Sequence, residues 1–225
     1  MSRTICNFDL AHLEKHLYIF SGLGADEKAF HRLNLDAFQV THIRWVKPGV
    51  REPIDAYAKR LLEQMITPKP VLMGLSFGGI IAIEVSRHID TEKIILISSV
   101  KTKKEIPLPY RVLGRIGLQK IFPLQQLRHP NFITNYLFGA HTSEDKAMLK
   151  PMLENTDTDF LKWAMDQVAL WKNGFVPGNI THIHGTADKV LPFKNVTCDY
   201  PIRDGGHMMV LNHADEVNEV LQEII

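Results

Sequence analysis

The strongest constraint on this chain is a set of very short runs in which nearly every residue is apolar. Leu17-Tyr18-Ile19-Phe20, Val71-Leu72-Met73 and Ile94-Ile95-Leu96-Ile97 have no alternation of apolar and polar residues. A strand with one wet face would alternate, and a core helix would be longer. Helical patterns lie between the runs. From Ile54 onward, Tyr57, Ala58, Leu61, Leu62 and Met65 share one helix face, an apolar helix runs from Ile80 to Val85, and Ala214, Val217, Leu221 and Ile224 make a last amphipathic helix. Residues 40–46 read as a second strand, and 180–184 and 198–202 as two weaker ones. Short apolar strands alternating with helices predict an α/β fold with a parallel sheet covered on both faces. Right-handed crossovers then gather the strand C-termini along one edge. In such folds the chemistry sits at that edge.

One stretch breaks the rhythm. Between Ser98 and Ile180 there is room for several helices, predicted over 110–122, 131–138, 143–153 and 159–171. Prolines at 107, 109, 123, 130 and 151 are expected at helix starts and ends. The stretch 100–177 reads as a helical cap inserted into a core made of 1–99 and 178–225. The plainer alternative is a second core layer, but long insertions in compact domains are more often functional.

Composition narrows the class. A chain of 225 residues suits one domain with a modest insertion, and 45% hydrophobic residues suffice for a core. The net charge of +1 lacks the basic excess of a nucleic-acid binder. Cys6 and Cys198 read as two free thiols of a reducing compartment. Residues 1–15 have no apolar core of a secretory signal. No apolar stretch has the length of a membrane span. The expectation is a soluble cytoplasmic protein; its oligomeric state is not legible.

The chemistry is concentrated in three loops. Gly74-Leu75-Ser76-Phe77-Gly78 fits G-x-S-x-G, directly after an apolar run and before a helix. In a chain with 14 glycines and 7 serines, chance supplies about 0.03 such matches. A serine on that turn has strained backbone angles, and the flanking glycines make room for strand and helix to approach. A serine hydroxyl needs a base, and the base needs an orienting acid. Asp188, in His184-Gly185-Thr186-Ala187-Asp188, follows one strand, and His207, in Gly205-Gly206-His207, follows the last. The order Ser76, Asp188, His207 puts each residue at the end of its own strand. The N–H of Phe77, at a helix N-terminus, and that of Leu23, in Ser21-Gly22-Leu23-Gly24, are the expected oxyanion donors.

On these motifs the sequence resembles the alpha/beta-hydrolase superfamily, and within it the capped small bacterial serine hydrolases. The resemblance covers most of the chain, from Phe20 to Gly24, Met73 to Gly79, His184 to Asp188 and Gly205 to His207. It implies a mostly parallel sheet of about six strands, trimmed because little strand-like sequence precedes Leu17. Two features depart from the family: that shortened N-terminal hairpin, and Ser21-Gly22 in place of the usual His-Gly of the oxyanion loop.

Rival readings carry less weight. His182, His184 and Asp188 could form a metal cluster, but no further ligand is evident nearby. Asp204 is a rival acid only three residues before His207. Lys101, Lys103 and Lys104 could attract an anionic substrate such as a coenzyme A thioester, yet read more simply as a solvated loop. Phe132, Tyr136, Phe138, Trp163 and Trp171 are candidates for an apolar acyl pocket, with Trp163 first; some must instead be core of the insertion.

The expected reaction is acyl transfer from a small-molecule ester or thioester to water, with no cofactor and no metal implied. A lyase or synthase using the same three residues, or a ligand receptor on this fold, are the alternatives, because fold does not decide function.

Overall fold

Each short apolar run becomes a strand. In the computed structural model, residues 15–116 and 131–225 are described. The expectations for Cys6, for a missing secretory signal, for the second half of the helix at 110–122 and for prolines 123 and 130 concern residues outside that range. The strands are β1 (Lys15–Phe20), β2 (Phe38–His42), β3 (Val71–Leu75), β4 (Lys93–Ile97), β5 (Ile180–Gly185) and β6 (Tyr200–Ile202). They form one six-stranded sheet in the order β2-β1-β3-β4-β5-β6, with every neighbouring pair parallel. The chain steps outward from β1 to β2, then crosses back to β3 on the other side of β1. That reversal is the topological switch point, beyond whose strand ends ligands of open α/β sheets bind. The register sets Phe20 opposite Gly74 and Leu75 opposite Ile97, so the strand ends lie level.

Both faces are buried, as the uniform runs require. Tyr18, Phe20, Leu72, Ile94 and Leu96 pack with Tyr57, Ala58 and Leu61 of α1 (Ile54–Leu61) and with α2 (Phe77–Val85). Leu17, Ile19, Val71, Met73, Ile95 and Ile97 pack on the other face with Val217 and Leu221 of the C-terminal helix (Ala214–Ile224). Each fully buried Leu or Ile contributes about 1.5–3 kcal/mol. Every residue of α2 is buried, Glu84 included.

Two strands are shorter than their sequence patterns. The second ends at His42 rather than at 46, because a side chain takes over the ladder: Arg44 N–H donates to Gln64 Oε1 at 2.9 Å, and Gln64 Nε2 donates to Arg44 O at 2.9 Å. Trp45 is thereby freed to join an aromatic cluster. The sixth strand begins at Tyr200 rather than 198, after Asp199 N–H has bonded His182 O at 2.9 Å.

Between β4 and β5 lie α3 (Leu108–Ile116), α4 (Phe132–Phe138), α5 (Ser143–Glu154) and α6 (Thr158–Leu170). Local sequence sets their ends. Asn131 caps α4 by accepting from Ile133 N–H and Thr134 N–H, and Gly139 closes it in the left-handed conformation. Thr142 and Asp145 form a capping box on α5. Asp157 accepts from Phe160 N–H to start α6. Pro151 departs from expectation: it lies inside α5, in the last turn, where the loss of one N–H costs a single intrahelical bond.

The insertion touches the strand-end loops. Met208 N–H donates to Phe138 O at 3.2 Å, Asn212 Nδ2 to Gly139 O at 2.9 Å, and Tyr110 OH to Val190 O at 3.2 Å. Trp163 Nε1 donates to Glu52 O at 2.8 Å. Among the described residues, no helix is long and apolar enough to cross a membrane.

Candidate active site

The tight junction of β3 and α2 explains the serine. Ser76 has φ 53° and ψ −119°, a conformation that costs a non-glycine residue about 1–3 kcal/mol and needs support from its surroundings. Ser76 N–H donates to Ile97 O at 2.9 Å, while Ser76 O accepts from Gly79 N–H at 3.0 Å and from Ser99 Oγ at 2.7 Å. The flanking glycines are sterically required. A Cβ on Gly74 would sit 2.4 Å from Gly79 Cα, and one on Gly78 would sit 2.1 Å from Phe20 O.

Three strand ends converge here. His207 Nε2 is 2.9 Å from Ser76 Oγ, and His207 Nδ1 is 2.8 Å from Asp188 Oδ2. A carboxylate only accepts, so Nδ1 carries the proton and Nε2 turns its lone pair to the serine hydroxyl. Asp188 is itself held: its Oδ1 accepts from Val190 N–H and Leu191 N–H, both at 2.8 Å. Burial pushes the Asp188 pKa up, but the charge and hydrogen bond of His207, the Leu191 N–H and the charge of His184 outweigh it, and the carboxyl stays below its usual range. Asp188 and His207 are both almost fully buried, so this row of hydrogen bonds is little screened by water.

Asp204, the rival acid, is exposed; its backbone N–H bonds Thr186 Oγ1 at 2.9 Å. Asp188, not Asp204, is the carboxylate that meets His207. The metal reading fares differently from its spacing. His184 Nδ1 lies 3.2 Å from His182 Nε2, and its Nε2 lies 2.8 Å from Leu191 O, so the ring nitrogens are engaged with each other and with backbone.

The loop after β1 lies against the serine. A Cβ on Gly22 would be 3.5 Å from Ser76 Cβ, and Ala25 N–H closes a turn onto Gly22 O at 3.1 Å. Leu23 N–H and Phe77 N–H have no protein acceptor among the described residues. Phe77 N–H opens α2, where orphan donors and the helix dipole favour negative charge.

The aromatic candidates separate. Trp163 is buried, with its ring 4.3 Å from Tyr57 and 6.1 Å from Phe77. It borders the serine turn through Phe77. Trp171 Nε1 donates to the buried Glu84 Oε1 at 2.7 Å and so pins the end of the insertion to α2. Phe132 and Tyr136 are exposed, with their rings stacked 6.5 Å apart. Phe138 meets His207 edge-on at 5.7 Å. Lys103 and Lys104 are exposed as a solvated loop requires, but Lys101 is buried: its N–H bonds the Glu105 carboxylate and its carbonyl accepts from Asn173 Nδ2 at 3.0 Å.

Sequence reasoning passed over three residues at this site. Ser99 braces the serine turn, Trp45 packs 5.7 Å from Phe77, and Glu84 anchors Trp171. Glu84 had a signal, as the lone charge in an otherwise apolar helix; Ser99 and Trp45 had none beyond lying at strand ends.

Comparisons with known proteins agree with this architecture. The model of the alpha/beta hydrolase family matches residues 14–220. No curated protein matches the chain. Among solved structures, a thermophilic esterase from Thermogutta terrifontis superposes with a TM-score of 0.69 at 18% identity, over 93% of this chain and 88% of that one. A hydrolase from Oleispira antarctica gives 0.69 at 16% identity, over 93% and 90%. A bromoperoxidase from Bacillus anthracis gives 0.60 at 17% identity, over 93% and 91%. At such identities the superpositions establish the shared fold, and the family match extends over nearly the whole chain. The chain belongs to the alpha/beta hydrolase family of enzymes.

Proposed function

We propose that the protein is a serine hydrolase that cleaves a carboxylic ester or thioester of a small to medium acyl substrate through an acyl-enzyme. The observation that carries this reading is the unbroken row Ser76 Oγ, His207 Nε2, His207 Nδ1, Asp188 Oδ2, with contacts of 2.9 and 2.8 Å. Ser76 Oγ attacks the carbonyl carbon while His207 Nε2 takes the hydroxyl proton. The resulting oxyanion accepts from Leu23 N–H and Phe77 N–H; loss of one such donor typically costs 10²–10³ in rate. His207 then protonates the departing alcohol or thiol as the C–O or C–S bond breaks. Water enters, gives its proton to His207 and attacks the acyl carbon. Collapse releases the acid and returns the proton to Ser76.

The insertion acts as a cap in this reading. Phe138 borders the base directly, whereas Trp163 acts on substrate choice through Phe77. Phe132 and Tyr136 would join a pocket only if substrate binding covers α4.

The test is a fluorophosphonate probe followed by intact mass and peptide mapping. One adduct, on Ser76, is expected, together with turnover of a panel of short esters or thioesters. Undiminished labelling of Ser76→Ala would overturn the assignment. Labelling without turnover of any ester or thioester would redirect it to a lyase, a synthase or a receptor.

A further inference from the structure

Two fully buried histidines stand behind the acid, and the proposed mechanism does not use them. His182 and His184 lie two residues apart on β5, so their side chains share one face of the sheet. Inward positions of a central strand usually carry branched aliphatic residues, as β4 does with Ile94, Ile95, Leu96 and Ile97. Replacing two such residues with imidazoles costs desolvation unless the ring nitrogens are bonded.

The bonds form a directed row. Leu191 O only accepts, so the 2.8 Å contact puts a proton on His184 Nε2. His184 Nδ1 is then an acceptor, and at 3.2 Å it receives the N–H of His182 Nε2. His182 Nδ1 is left facing Thr197 O at 3.3 Å. The row thus has three contacts, with the Ser99 backbone as a further partner of the His182 ring, and, with both rings neutral, two protons. The longest contact is the one without a proton. Burial pushes both rings down, His182 to about 3, with Lys101 facing His182 and with Asp188, His207 and Glu105 facing His184. Neutral rings are what the directed row requires.

The row ends on the acid. Leu191 accepts from His184 through its carbonyl and donates to Asp188 Oδ1 through its N–H at 2.8 Å. The same His184 Nε2 lies 3.5 Å from Asp188 Oδ2, the oxygen that binds His207. His184 therefore holds Leu191, the residue whose N–H binds one carboxylate oxygen, through the carbonyl on the other side of its Cα, and turns a positive N–H edge toward the other oxygen.

We propose that His184 is a positioning residue for Asp188, with its tautomer set by the Leu191 carbonyl and supported by His182, so that the carboxylate is aimed at His207 Nδ1. This rests on the serine-hydrolase reading for its catalytic meaning. His184→Phe keeps a ring of similar size but removes the donor to Leu191 O. His184→Gln returns an N–H donor at nearly the same reach. His182→Leu removes the N–H that faces His184 Nδ1 and leaves the Leu191 contact in place.

The experiment combines two readouts. The first is the pH profile of kcat and KM on a short p-nitrophenyl ester. The second is the downfield proton resonance of the His207 Nδ1–H bond in water, which needs no turnover. His184→Phe is expected to lower kcat about tenfold to a hundredfold, the range that a misplacement near 1 Å produces, with KM unchanged and the acidic limb displaced. Its His207 resonance is expected to shift or vanish. His184→Gln is expected to restore both, and His182→Leu to show a smaller change in the same direction. An unchanged resonance and profile in His184→Phe would overturn the proposal. So would a His184→Gln variant as impaired as His184→Phe with the same loss of melting temperature, since that pattern belongs to packing. If the wild type turned over no ester or thioester, the hydrolase reading would fall while the resonance still decided whether His184 positions Asp188.

Discussion

The strand ends and the inserted helices meet at His207, but different forces build them. At the strand ends, backbone contact leaves no choice: Gly78 meets Phe20 O and Gly74 meets Gly79, and Ser76 is held in a strained conformation between them. In the insertion, similar aromatic sequences have opposite fates. Helix α6 buries Phe160 and Trp163 against Tyr57 and Phe77, whereas α4 exposes Phe132 and Tyr136. The strand-end loops are specified by steric exclusion, the helices by whichever surface they find to cover. Mutations should therefore be all-or-none at the strand ends and graded in the insertion.

The largest effect should come from the acid. Asp188→Asn is expected to lower kcat/KM on a short ester by about 10⁴, while Asp204→Asn leaves it within about threefold of wild type, because Asp204 is exposed. Equal losses in the two variants would mean that the row at His207 is not what the reaction uses. Next comes Trp163→Ala, expected to cost about 3–5 kcal/mol in denaturant unfolding, since a ring packed at 4.3 Å and a bond to Glu52 O are both lost. If kcat/KM for long and short esters falls in the same ratio, Trp163 packs the insertion; a changed ratio extends its influence to substrate choice.

Acid should act on the strand-end region in two stages. His182 and His184 stay neutral in the fold, with pKa values below 6.5, so the unfolded chain binds more protons and stability falls as pH drops below that value. The window for His182 closes near 3. Asp188, held below its ordinary value of 3.8, adds stability above that value and loses it as pH falls through the folded pKa. Urea unfolding between pH 7 and 5 should therefore show declining stability, and His182→Leu should flatten the decline. A slope unchanged by His182→Leu would assign the loss to other groups. The smallest effect is expected at Phe132→Ala, within about ±0.5 kcal/mol by the same measurement, as for other exposed positions. A larger loss would mean that α4 is covered in solution.

How much of this was legible before the fold was known depended on how local each signal was. Strands β1, β3 and β4 were readable because a strand buried on both faces is apolar nearly throughout, and the serine turn because a turn with Gly at both flanks has few alternatives. The end of β2 was misplaced because Ile43 to Val46 keeps the composition of a strand, while Gln64, twenty residues away, takes its backbone bonds. Ser99 escaped notice for the same reason: a hydroxyl bracing Ser76 O has no pattern along the chain.

The sequence by itself determined the parallel sheet, the placement of Ser76 and His207 at strand ends along one edge, and the glycines that let the serine turn close. Each of these follows from periodicity or from steric limits within a few residues. Only the tertiary structure decided that Asp188 and not Asp204 reaches His207, that Trp163 is buried while Phe132 is not, and that His182 and His184 stand in line behind the acid. Those outcomes depend on which distant surfaces meet. A side chain three residues from its target along the chain can point to solvent, while one nineteen residues away lies at hydrogen-bond distance, because strand crossovers rather than sequence separation set what is near.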